Sequence, residues 1–163
     1  MSQEEVDRIK KLFLDLNLHP IYLEHKEVIT SEDAAKTRGF ELEQGIKAIV
    51  LTNGKGDFAV ADVPADKKAN VKKIAESCGW SKSSIRMATE NEVLEKTGCK
   101  IGAVPPFGHN DKLKIFVDNG VYGNEISTFN IGLRTISVKI PTKEMKIVFE
   151  NINAVEGEFA KTD

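Results

Sequence analysis

Cysteine is scarce: Cys78 and Cys99 are the only two among 163 residues. They form no CxxC pair and cannot build a disulfide framework, so a reducing compartment is expected. Long apolar runs are also missing, and the opening Met1-Ser2-Gln3-Glu4-Glu5 is acidic and polar, unlike a signal peptide. Excess charge is lacking too. A formal net charge of −2 excludes a protein that grips nucleic acid by bulk charge, but leaves room for a local basic patch. The three histidines, His19, His25 and His109, lack metal-ligand spacing of the HExxH kind. There is no nucleophile elbow, Walker loop or GxGxxG, so the parts of a triad hydrolase or nucleotide hydrolase are absent. No internal repeat or long linker divides the chain.

What remains has globular proportions. Hydrophobic residues make up 40% and charged residues 29%, which argues against general disorder. The expectation is one soluble cytoplasmic domain over 1–163, with its core at about 20–150. Charge is uneven along it. Residues 1–43 carry ten acidic and six basic side chains, about −4. Residues 64–86 carry six basic and two acidic side chains, about +4. There Val71, Ile74, Ala75 and Cys78 make an apolar helical stripe, and the lysines flank it. Such a face is either ordinary solvated surface or a surface that meets phosphates, with Lys68, Lys72, Lys82 and Arg86 as the contacts.

A first helix is expected from about Gln3 to Leu16, with Val6, Ile9, Phe13 and Leu16 on one face. Ile21–Leu23 reads as a short strand after Pro20. Thr30 and Asp33 suggest the start of a short helix ending at Gly39. Ile46–Thr52 and Phe58–Val63 form a hairpin around Asn53-Gly54-Lys55-Gly56-Asp57. The basic helix follows, then a short strand near Ile85. A helix starts at Thr89 and Glu92 and ends at Gly98. Strands Leu113–Asp118, Glu125–Asn130 and Leu133–Ile140 come next. Pro141 opens a last helix to about Asn151, with Met145, Val148 and Phe149 inward. Asp118-Asn119-Gly120 reads as a turn. The tail from Val155 to Asp163 is expected to fray. Hairpin strands mixed with helices suggest an α/β layered or partly closed sheet, not a doubly wound fold.

Two features carry chemistry. Lys47 begins Lys47-Ala48-Ile49-Val50-Leu51, a strand apolar on both faces and so expected to be buried on both sides. A buried amine is costly unless paired or opened into a cleft. It either snorkels from the strand mouth to water or lines a cleft and meets an anion or polarised carbonyl. The second feature is Gly102 to Gly108, where glycines allow close approach and Pro105 and Pro106 stiffen the chain. Such a loop is a rigid crossover, or it aims N–H groups at a carbonyl or phosphate oxygen. His109 follows it, and a surface position is the simpler reading. Cys78 and Cys99 read as small hydrophobes.

In this order the two features resemble the YbaK/prolyl-tRNA deacylase family of aminoacyl-tRNA editing domains. The matching residues are Lys47-Ala48-Ile49-Val50, the returning strand Asp57-Phe58-Ala59-Val60-Ala61-Asp62-Val63-Pro64, then Thr97-Gly98 and Gly102-Ala103-Val104-Pro105-Pro106-Phe107-Gly108. Gly102 to Pro106 fits the family's G-x-x-x-P loop. Phe116-Val117-Asp118 and the closing strand–helix unit extend the likeness, which runs from about Pro20 to Phe149.

The resemblance implies an α/β fold with a mixed, mostly antiparallel, curved sheet flanked by helices. It implies trans-editing: hydrolysis of a mischarged aminoacyl-tRNA, with tRNA-Pro carrying a small wrong amino acid as the expected substrate. No metal or other cofactor is implied. Lys47 would anchor the terminal adenosine phosphate or ester region, and N–H groups around Gly102 would hold the carbonyl oxygen. Ile49, Ala103, Val104, Pro105, Pro106, Phe107, Gly108 and Asn130 would line the substrate site. The partners implied are the acceptor end of aminoacyl-tRNA and an aminoacyl-tRNA synthetase, with no membrane; monomer and homodimer stay open. The amino acid stays open as well. Ala48 stands where the alanine-editing branch has asparagine, and Asn130 where that branch has histidine. Ala103 and Pro105 stand where cysteine-editing relatives have glycine and serine. The rival reading is a catalytically silent module that binds tRNA or a synthetase through the same pocket.

Overall fold

A computed structural model describes residues 2–27 and 44–161. The helix expected between Thr30 and Gly39 lies outside them. Helix α1 spans Ser2–Asp15 and buries Val6, Ile9 and Phe13, while Leu16 packs alongside. Strand β1 is Ile21–Glu24, β2 Ile46–Thr52, β3 Phe58–Pro64 and β4 Lys68–Ala69. Helix α2 is Val71–Cys78, β5 Arg86–Met87 and α3 Glu90–Thr97. Strand β6 is Lys114–Asp118, β7 Ile126–Asn130 and β8 Ile136–Pro141. Helix α4 is Thr142–Asn151, followed by β9 Val155–Gly157 and β10 Ala160–Lys161.

Local chemistry explains most boundaries. The Asn70 side chain accepts the Lys73 N–H at the start of α2. Thr89 and Glu92 form a reciprocal capping box on α3. Gly79 and Gly98 end those two helices in the left-handed conformation. Pro141 immediately precedes α4, and Met145, Val148 and Phe149 are buried.

The main sheet has the order β5-β2-β3-β6-β9, and a second has β1-β8-β7. Pairs β3–β6 and β6–β9 are parallel; β2–β3, β2–β5, β1–β8, β7–β8 and β4–β10 are antiparallel. The expected mixed, mostly antiparallel α/β fold is present. A parallel bridge between Gly45 and Thr128 joins the two sheets.

The main sheet is covered on both faces. Val50, Val60 and Val117 face α1, α4 and the second sheet, where Phe13, Phe107, Phe129 and Phe149 interlock. Leu51, Ala61, Val63 and Phe116 face Ile74 of α2 and Phe159. The alternation of β3 between these two clusters is the period of a strand buried on both sides.

Two expectations are corrected. From Val155 to Lys161 the tail does not fray: β9 pairs with β6, β10 pairs with β4, and Phe159 is buried. Asp118 explains this, because its Oδ1 accepts the Phe159 and Ala160 N–H groups at 2.9 and 3.0 Å. Its Oδ2 accepts the Gly120 N–H at 2.9 Å, so the expected turn is present as well. Strand β2 is not buried along its whole length. Lys47, Ala48 and Ile49 are half-buried, because β5 pairs only with Leu51 and Thr52.

Candidate active site

The open stretch of β2 positions the site. The Ala88 N–H donates to the Val50 carbonyl at 2.9 Å, so Val50 turns its backbone polar groups to the outer edge. Ala48 shares that parity and faces the same edge. Among the described residues, no strand covers this edge between the Gly45–Thr128 bridge and β5. A cavity of about 180 Å³ fills the gap.

Its walls come from three parts of the chain. β2 contributes Lys47 to Val50. The β5–α3 segment contributes Met87, Ala88 and Val93, and the loop after α3 contributes Ile101, Gly102 and Val104. Lys47 and Gly102, 55 positions apart in the chain, thus line one cavity. Among the described residues, Lys47 is the one charged residue of that lining; the rest are apolar residues and Gly102.

The loop is held from behind. Gly102 has φ +88°, a conformation that favours glycine. The Ala103 N–H turns back to the Lys100 carbonyl at 3.0 Å. Arg134 donates to the Ile101 carbonyl from Nε at 2.9 Å and from Nη2 at 2.6 Å. Gly108 has φ +73°, and a Cβ there would stand 2.7 Å from Ile9 Cδ1, so the loop lies directly on α1.

His109 is not a surface histidine. It is half-buried, and its Nε2 donates to the Pro105 carbonyl at 2.7 Å. Desolvation pulls its pKa down to about 4, so it is a neutral strut of the loop near pH 7. Cys99 is buried against the Thr97 carbonyl at 3.3 Å, and burial pushes its thiol up to about 11. That thiol is no nucleophile at neutral pH. Cys78 is half-buried beside the second core cluster, and burial raises its pKa too.

The structure sorts the sequence candidates. Lys47, Ile49, Gly102 and Val104 line the cavity. Ala103 is buried and borders a different hollow, on the Arg134 side of the loop. Pro105 and Pro106 are buried. Phe107 is wholly buried among Phe13, Phe129 and Phe149, and Gly108 lies on α1. These four support the loop without lining the cavity. Asn130 is buried, and its Nδ2 donates to the Leu133 carbonyl at 3.2 Å.

The basic patch is partly neutralised. Arg86 meets Glu92 through two hydrogen bonds of 2.7 and 3.1 Å. That guanidinium, followed by the Thr89 N–H, pulls Glu92 down to about 2. Lys82 stands 3.6 Å from Glu76. Lys68 and Lys72 lie on the exposed surface of β4 and α2. Sequence reading overlooked Met87, Ala88 and Val93 as cavity walls. The signal was present: a short strand and a capped helix directly precede the Gly102 loop. Arg134 left no comparable signal, because its partner is a backbone carbonyl 33 residues away.

The sequence profile of the aminoacyl-tRNA editing domain matches residues 25–147, most of the chain. The chain belongs to this family. This editing domain is therefore an aminoacyl-tRNA deacylase by class. It is 35% identical over 125 residues to the multifunctional Ser/Thr-tRNA deacylase ProXp-y of Escherichia coli K12, covering 74% of this chain and 73% of that protein. It is also 35% identical over 92 residues to the proline–tRNA ligase of Trichlorobacter lovleyi, covering 56% of this chain but 16% of the ligase. Among solved structures, a candidate trans-editing enzyme for prolyl-tRNA synthetase superposes with a TM-score of 0.78 at 24% identity, covering 96% of this chain and 97% of that one. That likeness shows the shared fold. No helix of the described residues is long and apolar enough to cross a membrane. Among the same residues, no group of three or more histidines, cysteines or carboxylates could hold a metal ion.

Proposed function

We propose that this chain hydrolyses the ester of tRNA carrying a small, wrongly attached amino acid, acting in trans as one domain with its editing core at about 20–150. The observation that carries this reading is the single cavity lined by both Lys47 and Gly102. At about 180 Å³ it is smaller than the roughly 300–1,000 Å³ of drug-sized ligand pockets. It suits an aminoacyl group and leaves the terminal adenosine outside.

An aminoacyl ester is already reactive, so a bound water needs positioning and charge stabilisation more than a strong base. Water adds to the carbonyl carbon. The Gly102 N–H receives the oxygen as it gains negative charge, and the ester C–O bond breaks to release the amino acid and a tRNA hydroxyl. One such donor contributes roughly 3–4 kcal/mol to lowering a barrier. Lys47 anchors the terminal phosphate or the ester region as a compact cation. Ile49 and Val104 limit side-chain size. An apolar pocket separates similar side chains by only about 10–200-fold per methylene, so more than one small amino acid is accepted. Serine and threonine are the first choices, given the activity for which the Escherichia coli relative is named. The likeness to proline–tRNA ligases favours tRNA-Pro as carrier and a synthetase as a second partner, in the cytoplasm. Phosphate contacts by Lys68 and Lys72 make binding weaken as salt rises.

The test is ester loss from tRNA charged separately with serine, threonine, alanine, cysteine or proline, beside a Lys47→Ala control. Cleavage of at least one ester other than the prolyl ester, lost in the control, supports the reading. Charged tRNA that binds without losing its ester refutes it in favour of a recognition module.

A further inference from the structure

We infer that Arg134 is a positioning residue that aims the Gly102 N–H into the cavity. This rests on the reading of Gly102 as the donor to the ester oxygen. The contact is unusual in kind: two N–H groups of one rigid guanidinium converge on one carbonyl oxygen, that of Ile101, at 2.9 and 2.6 Å. A single hydrogen bond leaves a peptide plane free to rock, whereas two donors from a planar fork fix its direction. The Ile101–Gly102 peptide is trans, so its N–H points opposite to its C=O. Holding the carbonyl therefore sets the Gly102 N–H without touching it.

The surroundings agree with that division. Arg134 lies in a separate hollow of about 440 Å³ with Lys100, Ala103 and Leu133, whereas Ile101 and Gly102 line the 180 Å³ cavity. The loop is the partition between them. Among the described residues, the Gly102 N–H has no hydrogen-bond partner, while the next N–H, of Ala103, is spent within the turn. Glycine's broad conformational freedom makes an outside restraint necessary here: at φ +88°, the loop's own sterics do not fix the plane. Arg134 is itself restrained. Its Nη1 lies 3.3 Å from Glu27 Oε1, and its side chain is only 16% exposed. Asn130 steadies the turn that carries it through the 3.2 Å bond to the Leu133 carbonyl. A residue proposed from sequence as a substrate contact thus acts two steps behind the reacting atoms.

The test compares wild type, Arg134→Ala and Arg134→Lys on serine- and threonine-charged tRNA, with kcat and KM measured separately. Arg134→Ala is expected to lose about 10–100-fold in kcat with KM little changed. That is less than the roughly 100–1,000-fold lost when an oxyanion donor is removed outright. Arg134→Lys, which keeps one donor for the carbonyl, is expected to recover part of the loss. The Gly102 amide resonance is followed in all three proteins as a readout independent of turnover, and is expected to move in Arg134→Ala and return toward wild type in Arg134→Lys. An active wild type whose Arg134→Ala variant keeps its kcat, or loses activity only through KM, overturns the inference and leaves the proposed function standing. An inactive wild type overturns the proposed function. The inference as a whole falls with it, and the Gly102 resonance alone still decides whether Arg134 orients that amide. Should Arg134→Ala not fold, Arg134→Lys decides: a normal kcat with a shifted Gly102 resonance overturns the inference, and a reduced kcat with unchanged KM supports it.

Discussion

Replacing Phe107 with alanine separates a loop that contacts substrate from one that is built on a core. The Phe107 ring is fully buried and meets the rings of Phe13, Phe129 and Phe149 edge-on, with centroids 5.9, 5.7 and 5.4 Å apart. A buried Phe→Ala change costs about 3–5 kcal/mol. Three edge-on ring contacts, each worth about 0.5–1.5 kcal/mol beyond area burial, favour the upper part of that range. For a chain of this length, each kcal/mol moves the melting midpoint by about 2–4 °C, so the variant should melt about 6–20 °C lower. Circular dichroism melts of both proteins measure this directly. Turnover measured well below both midpoints should retain its KM, because Phe107 does not line the cavity. A midpoint within about 2 °C of wild type, less than one kcal/mol predicts, combined with a raised KM would refute the reasoning. It would place Phe107 against substrate.

Two desolvated groups give the protein opposing pH responses. His109 has its pKa lowered from 6.5 to about 4, so the unfolded chain takes up its proton first as pH falls. Stability is complete above pH 6.5 and declines toward pH 4, by about 1–3 kcal/mol after allowance for partial exposure. Urea midpoints across that range should fall more steeply for wild type than for His109→Gln. Asp62 works the other way. It is wholly buried, neither carboxyl oxygen has a hydrogen-bond partner among the described residues, and desolvation holds its pKa well above the ordinary carboxylate value. The unfolded chain ionises first as pH rises past about 4, so this residue withdraws stability toward neutral pH. Asp62→Val should therefore raise the melting midpoint at pH 7, with a gain of about 1–3 kcal/mol, and should raise it less at pH 3. An unchanged or lower midpoint at pH 7 would mean that the carboxyl is satisfied.

Much of the fold was legible because its signals are local. The capping box at Thr89 and Glu92, the glycine stop at Gly98 and the apolar face of α1 each declare themselves within a few residues. The Lys47 strand and the Gly102 loop were legible as a pair through family likeness, and the cavity between them is where that pairing becomes physical. Elements that depend on distant partners were not legible. Asp118 reads as a turn residue, yet one of its oxygens tethers the tail 41 positions away. Phe107 and Asn130 stand at motif positions, but neighbours from other elements turn Phe107 into the core and Asn130 toward the Leu133 carbonyl. Arg134 belongs to the same group, since nothing local reveals that a surface-type residue will grip a carbonyl across the fold.

The cavity walls also divide the work of the site along the chain. Lys47 belongs to a sheet strand, and Gly102 to a loop fixed against α1. Met87, Ala88 and Val93 all come from one short stretch, β5 and the first turn of α3. Under the proposed function, substitutions in that stretch would reshape the wall it shares with Ile49 and Val104 while leaving Lys47 and Gly102 in place. On that reading, the pocket's size would change over evolutionary time through a few neighbouring codons, with Lys47 and Gly102 inherited intact.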